Sequence, residues 1–121
     1  MRRSFGAIMA LIGLTAGTAP AFADFGAIAY DQHNCAFGRS WHYDNPERAR
    51  SVALGECGHP GCRVVLEVGP GQCGAIAVTP NCHGYGWATR PSREAAQLSA
   101  MEQCQHYNAG QCNPRIVDCN R

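Results

Sequence analysis

From residue 25 onward the chain alternates small with larger apolar side chains. Ala27 and Ala29 stand against Ile28 and Tyr30, a period of two that predicts a short strand. A turn containing Asn34 follows, then a second alternating stretch from Phe37 to Tyr43. The period then changes. Asn45, with Pro46 in the first helical position, is a helix start. Ala49, Val52, Ala53 and Cys57 fall on one face of the helix it opens. Gly58 ends that helix, and Arg63 to Val68 reads as a third strand.

The same order then returns. Gly26-Ala27-Ile28-Ala29-Tyr30 recurs as Gly74-Ala75-Ile76-Ala77-Val78, and Phe37-Gly38 recurs as Tyr85-Gly86. A turn with Asn81 leads to a strand from Tyr85 to Thr89, and Ser92 starts a helix with Ala96, Ser99, Ala100 and Cys104 on one face. Glu47-Arg48-Ala49 matches Glu94-Ala95-Ala96, and Cys57 matches Cys104. Cys62-Arg63-Val64-Val65 matches Cys112 followed, after a small insertion, by Arg115-Ile116-Val117, within a last strand from Arg115 to Cys119. An internal repeat of this kind fixes the architecture to expect. It is an α+β domain of two strand-strand-helix-strand units, residues 25–72 and 73–121, related by a pseudo-twofold axis. The two helices are expected on one side of a mostly antiparallel sheet. The alanines of the first strands would let a helix come close.

The residues before this pattern are of another kind. Arg2 and Arg3 precede an apolar stretch from Phe5 to Leu14, and Ala21-Phe22-Ala23 forms a small-x-small site. Residues 1–23 therefore read as a signal peptide, with cleavage before Asp24 and an exported product, periplasmic or secreted. Thr15, Gly17, Thr18 and Pro20 interrupt the apolar run short of a membrane span. Residues 24–121 then form a single domain. Removing the two leading arginines takes the formal charge from +1 to −1. No lysine is present and no basic cluster stands out, which argues against nucleic acid as a partner. No later stretch points to a membrane.

All eight cysteines follow residue 23: Cys35, Cys57, Cys62, Cys73, Cys82, Cys104, Cys112 and Cys119. An even number in a short exported chain reads as a disulfide framework, compensating for a core rich in alanine and glycine. The string Gly26-Ala27-Ile28-Ala29-Tyr30, Ser40-Trp41-His42, Pro46-Glu47-Arg48-Ala49, Val52-Ala53-Leu54 and Cys57-Gly58 carries a family likeness. Cys62-Arg63-Val64-Val65 and Cys73-Gly74-Ala75-Ile76-Ala77 continue it. Together they resemble the exported bacterial family catalogued as domain of unknown function 4189, from Phe25 to Asn120. The resemblance implies a two-unit α+β fold, an exported life and no established activity. It also implies that Cys57, Cys62, Cys73 and Cys119 form the family's shared set, with Cys35, Cys82, Cys104 and Cys112 as additions. Short separation favours Cys57–Cys62 and Cys104–Cys112. The repeat and the resemblance favour Cys73–Cys119, expected to tie the two units together, and elimination leaves Cys35–Cys82.

The candidate chemistry is sparse. Cys57-x-His59-x-x-Cys62, Cys104-x-His106 and Cys82-His83 place histidine beside thiols, but paired two-residue zinc spacings are absent, so no metal or other cofactor is expected. No Cys-x-x-Cys motif marks a redox enzyme. His42 has Asp44 and Glu47 nearby, and Glu56, Glu67 and Glu102 are available carboxylates, without a motif that makes any of them catalytic. The second strands are richer. Alternation places Phe37, Arg39, Trp41 and Tyr43 on one face, with Tyr85 and Trp87 on the matching face of the other unit. Arg39, Trp41, Tyr85 and Trp87 are thus the candidate binding residues, being of the types enriched at interaction hot spots. The expected role is a non-catalytic exported module that binds another protein, of inhibitor, immunity or effector type. The alternative is a small cell-envelope hydrolase or ligand-binding domain using a histidine–carboxylate pair, for which a pocket around His42 would be the sign.

Overall fold

The local signals form the elements in chain order. The computed structural model describes residues 24–107 and 110–120; the signal-peptide reading of residues 1–23 lies outside the described residues. Strand β1 spans Phe25–Asp31 and β2 spans Ala36–Tyr43, followed by helix α1 at Pro46–Cys57 and β3 at Arg63–Val68. The second unit repeats this as β4 (Cys73–Val78), β5 (Tyr85–Arg90), α2 (Arg93–Tyr107) and β6 (Asn113–Cys119). Asn45 caps α1 by accepting the Arg48 amide at 2.8 Å, and Gly58 closes it in a left-handed conformation, φ 75°. The Ser92 hydroxyl accepts the Ala95 amide at 3.2 Å, giving α2 the equivalent cap.

The strands form two sheets rather than one. Each has three antiparallel strands, in the orders β2-β1-β3 and β5-β4-β6. The alternation along β1 and β4 explains why. Their alanines face helices: Ala27 and Ala29 pack on Ala49, Ala53 and Cys57 of α1, while Ala75 and Ala77 pack on Ala96, Ala100 and Cys104 of α2. The other faces carry Ile28, Tyr30, Ile76 and Val78, which pack against each other between the sheets. The order of layers is therefore helix, sheet, sheet, helix, and a single sheet with both helices on one side would have left the larger side chains uncovered. Ile28 and Ile76 are fully buried in that middle layer, each stabilising by about 2 kcal/mol.

Two glycines set how near the helices come. A Cβ on Gly38 would collide with the Ala53 carbonyl, and one on Gly86 with the Cys104 amide. Small residues on both partners bring backbone against backbone, and the apolar bulk is displaced to the layer between the sheets.

Bulges correct two sequence expectations. The pairing of β1 with β2 shifts between Phe25–Tyr43 and Ala27–Ser40, and His42 there has φ 67°. The extra residue returns Tyr43 to the α1 side, so it does not share a face with Trp41. In β3 the register skips Val65, and in β6 it skips Arg115. Leu66 and Ile116 thus hold equivalent places opposite Ile28 and Ile76. Counting from Cys62 and Cys112, the third strands then match without an insertion, and the counterpart of Arg115 is Val65, not Arg63.

The eight cysteines form four bridges: Cys35–Cys82, Cys57–Cys62, Cys73–Cys119 and Cys104–Cys112. The two short ones each join a helix end to the following strand. Cys73 and Cys119 lie opposite one another in β4 and β6 of one sheet, so their bridge fastens one unit and does not tie the two together. That task falls to Cys35–Cys82, which links the β1–β2 turn to the β4–β5 turn.

Candidate functional site

Because the two sheets stack face to face, their long edges make two seams, one where β2 meets β6 and the other where β5 meets β3. Both are built from equivalent positions, and they differ in chemistry.

At the first seam, Phe37, Arg39, Glu56, Arg115 and Ile116 line a cleft of about 210 Å³. The bulge at Arg115 brings its guanidinium carbon to 4.5 Å from the centre of the Phe37 ring, a cation–π contact. Arg39 lies on the same side of β2 as Phe37 and Trp41, but β2 is an edge strand, and the Arg39 side chain reaches solvent. Its backbone N–H points away from the sheet and donates to Glu56 Oε1 at 2.8 Å. Among the described residues, neither Arg39 nor Arg115 takes part in an ion pair. The cleft thus holds two guanidiniums and one carboxylate, and that carboxylate is already engaged by a backbone amide.

At the second seam the same skeleton carries apolar groups. Trp87 replaces Arg39, and its ring stacks on Tyr85 at 5.0 Å between centres. Val65 takes the place of Arg115, and Gln103 that of Glu56. The Trp87 backbone N–H donates to Gln103 Oε1 at 2.9 Å. On each unit, then, a helix side chain covers an outward amide of one of the two edge strands, β2 or β5, which removes a point where another strand would pair. Spacing alone held this signal: Glu56 and Gln103 stand at the same place in the two repeats.

The candidate aromatics divide accordingly. Trp41, Tyr85 and Trp87 are half-buried and pack on the inter-sheet core, not on an open sheet face. The second sheet covers this face, and of the four candidate residues Arg39 is the exposed one. Trp41 sits where two equivalent glycines leave room: a Cβ on Gly26 would meet the indole Cε3 at 2.8 Å, and one on Gly74 would lie 3.5 Å from Cη2. Its indole Nε1 is buried and has no hydrogen-bond partner among the described residues. Phe37, Tyr30, Tyr85 and Trp87 form a continuous series of ring contacts from one seam to the other. Within it the Tyr30 hydroxyl donates to the Cys82 carbonyl, and burial pushes its pKa up to about 12.

Other titratable groups are spent on structure. His42 Nδ1 lies 3.3 Å from Asp24 Oδ1, not beside Asp44 or Glu47, and both side chains are exposed. His42 lines neither the first-seam cleft nor the larger concavity of about 560 Å³ beside the β4–β5 turn, where Thr79, Asn81, His83 and Tyr107 gather. There the polar groups serve one another: Thr79 Oγ1 donates to Asn81 Oδ1 at 2.8 Å, which also accepts the His83 amide at 3.0 Å. Glu67 pairs with Arg50 at 3.0 Å, and Glu102 is exposed on α2. Asp31 is buried at the end of β1, where the Asn34 side chain donates to it at 2.7 Å and the His33 amide at 3.0 Å. These bonds, Asn34 first, hold its carboxyl below the ordinary 3.8. Every cysteine is bridged, so none is a thiolate ligand, and the described residues contain no group of three metal-ligating side chains.

A buried amide near the chain end was missed in the sequence. Asn120 Oδ1 accepts the His42 amide at 3.0 Å, and its Nδ2 donates to the Val68 carbonyl at 2.8 Å. Its backbone exchanges bonds with Gly71 and Gln72, both at 2.8 Å. One asparagine thereby joins the β2 bulge to the connection between the units, and no local pattern marks it.

The family model for "Domain of unknown function (DUF4189)" matches residues 25–119. The fold is similar to the NMR structure of Rv1813c from Mycobacterium tuberculosis, at 27% identity and a TM-score of 0.59, covering 98% of this chain and 97% of that one. No curated protein matches the chain. On a family match running from the first residue of β1 to the last of β6, and on two units with the same strand order, the chain belongs to the DUF4189 family.

Proposed function

We propose that this domain is an exported, non-catalytic protein-binding module, acting in the periplasm or outside the cell, and that its contact surface is the β2–β6 seam. The observation that carries the reading is the cleft in which Arg39 and Arg115 stand beside Phe37 without an ion-pair partner among the described residues. Arginine next to an aromatic ring is hot-spot chemistry. Four disulfides suit an oxidising compartment, and no described helix is long and apolar enough to cross a membrane.

The covered edges bear on how a partner would dock. With Glu56 on the Arg39 amide and Gln103 on the Trp87 amide, addition of a strand at these points of β2 and β5 is opposed. Recognition by the side chains of the cleft fits that cover. Of the four candidate residues, Arg39 is assigned the direct contact, Trp41 packs in the layer between the sheets, and Tyr85 and Trp87 belong to the second seam.

The histidine–carboxylate alternative draws no support from His42 and Asp24, whose side chains are exposed outside both clefts. A photo-crosslinking amino acid at position 39 of the exported, oxidised protein tests the proposal against one at Gln105 on α2. A discrete adduct from position 39 and none from 105 is expected. Adducts only from position 105, or none from 39, would overturn it.

A further inference from the structure

Resting on the binding role just proposed, we infer that the occupant of the β2–β6 seam is an acidic segment of the partner protein, with a carboxylate held between Arg39 and Arg115. Three observations combine. Both guanidiniums line one cleft of about 210 Å³, which has room for an acidic side chain. Neither is neutralised by an ion pair among the described residues. Among the described residues, Glu56 is the only carboxylate lining the cleft, and its Oε1 accepts the Arg39 amide at 2.8 Å, so it is held toward the strand.

The geometry favours arginine chemistry over simple positive charge. The cation–π contact with Phe37 restrains the Arg115 guanidinium, whose N–H groups donate in the guanidinium's own plane. A planar, partly restrained donor recognises a carboxylate with less loss of side-chain freedom than a lysine would. The second seam supplies the contrast within the same molecule: Trp87 and Val65 occupy the places of Arg39 and Arg115, so neither equivalent position carries a cation. An acidic segment would therefore distinguish the two seams despite the repeat.

Titration of the isotope-labelled, oxidised domain with a short peptide rich in aspartate and glutamate tests this, with its asparagine–glutamine analogue as the control. The acidic peptide should shift the signals of residues 37–39, 56 and 115–116, and the amide analogue should bind at least about tenfold more weakly. Arg39→Gln and Arg115→Gln should each weaken the acidic peptide by about tenfold, with unchanged melting temperatures, and added salt should weaken it further. Equal binding of both peptides, shifts centred on Trp87, or the same shifts from inorganic phosphate alone would overturn the inference. An adduct from position 39 combined with equal peptide binding would leave the protein-binding role standing and remove only its acidic partner.

Discussion

In the first unit, α1 lies on β2 through Gly38, Ala53 and Cys57; in the second, α2 lies on β5 through Gly86, Ala100 and Cys104. Between the sheets the units diverge. Trp41 has Thr89 at the corresponding place, Arg39 has Trp87, Val65 has Arg115, and Asp31 has Thr79. The helix–sheet contacts tolerate little variety because backbone meets backbone there, and any added carbon collides. The seams tolerate more because their side chains end in solvent or in a layer that can be filled from either unit. Duplication thus supplied a rigid frame, and the differences collected where side chains had room to change.

The largest effect should come from the covalent differences. Cys73–Cys119 fastens one sheet, while the corresponding ends of the first sheet have no bridge, and Cys35–Cys82 joins the units. Their separations of 47 and 46 residues are nearly equal. On chain entropy, removing either pair by double Cys→Ala substitution should cost about 4 kcal/mol, against about 2 for Cys57–Cys62. Urea unfolding measures this. Loss of Cys35–Cys82 costing no more than loss of Cys57–Cys62 would show that the middle layer alone holds the units together.

Next comes Trp41. It fills the space over Gly26 and Gly74, so Trp41→Ala should cost about 3 kcal/mol. Thr89→Ala, at the equivalent site, should stay within about 0.5 kcal/mol. Similar melting temperatures for the two variants would return Trp41 to the surface.

The turns after β1 and β4 should differ in their response to acid. The Asp31 carboxylate is held below its ordinary 3.8 by Asn34 and the amides at 33 and 34. Its ionised form therefore stabilises the fold above that pH, and the contribution is lost as pH falls through the lowered pKa. Asp31→Asn should flatten the acid side of the stability profile, whereas Thr79→Val should change stability equally at all pH. A profile unaltered by Asp31→Asn would show that the turn holds without the charge.

The smallest effect is expected at the covered edges. Glu56→Gln makes the first unit resemble the second, where Gln103 already accepts the strand amide. Stability should move by less than about 0.5 kcal/mol, and hydrogen exchange at the Arg39 amide should stay slow. Faster exchange would mean that the charge of Glu56, and not its oxygen, protects the edge.

The elements themselves were legible in the sequence, because strand alternation and helix caps are local. Ala27-Ile28-Ala29-Tyr30 already separates a small face from a large one, and Asn45-Pro46 and Gly58 already bound a helix. What escaped was non-local. The larger face of β1 reads the same whether helix, solvent or a second sheet covers it, so the middle layer was invisible. Tyr43 changed sides because His42 adopts a positive φ that its residue type does not demand. Arg115 entered the site through a bulge that only strand pairing reveals. For the candidate site, Arg39 could be named from strand parity, but its neighbours Glu56 and Arg115 come from elements far along the chain.

The connection from β3 to β4 is four residues long, Gly69–Gln72, and it leads directly from one sheet to the other. A short hinge between two half-cores is the arrangement from which chains exchange halves with a second molecule. The bridge between the β1–β2 and β4–β5 turns changes that competition. Once it closes within one chain, each half meets the other at an effective concentration that no neighbouring molecule can match. Closed within the chain, Cys35–Cys82 would hold the two halves together and oppose their exchange with a second molecule.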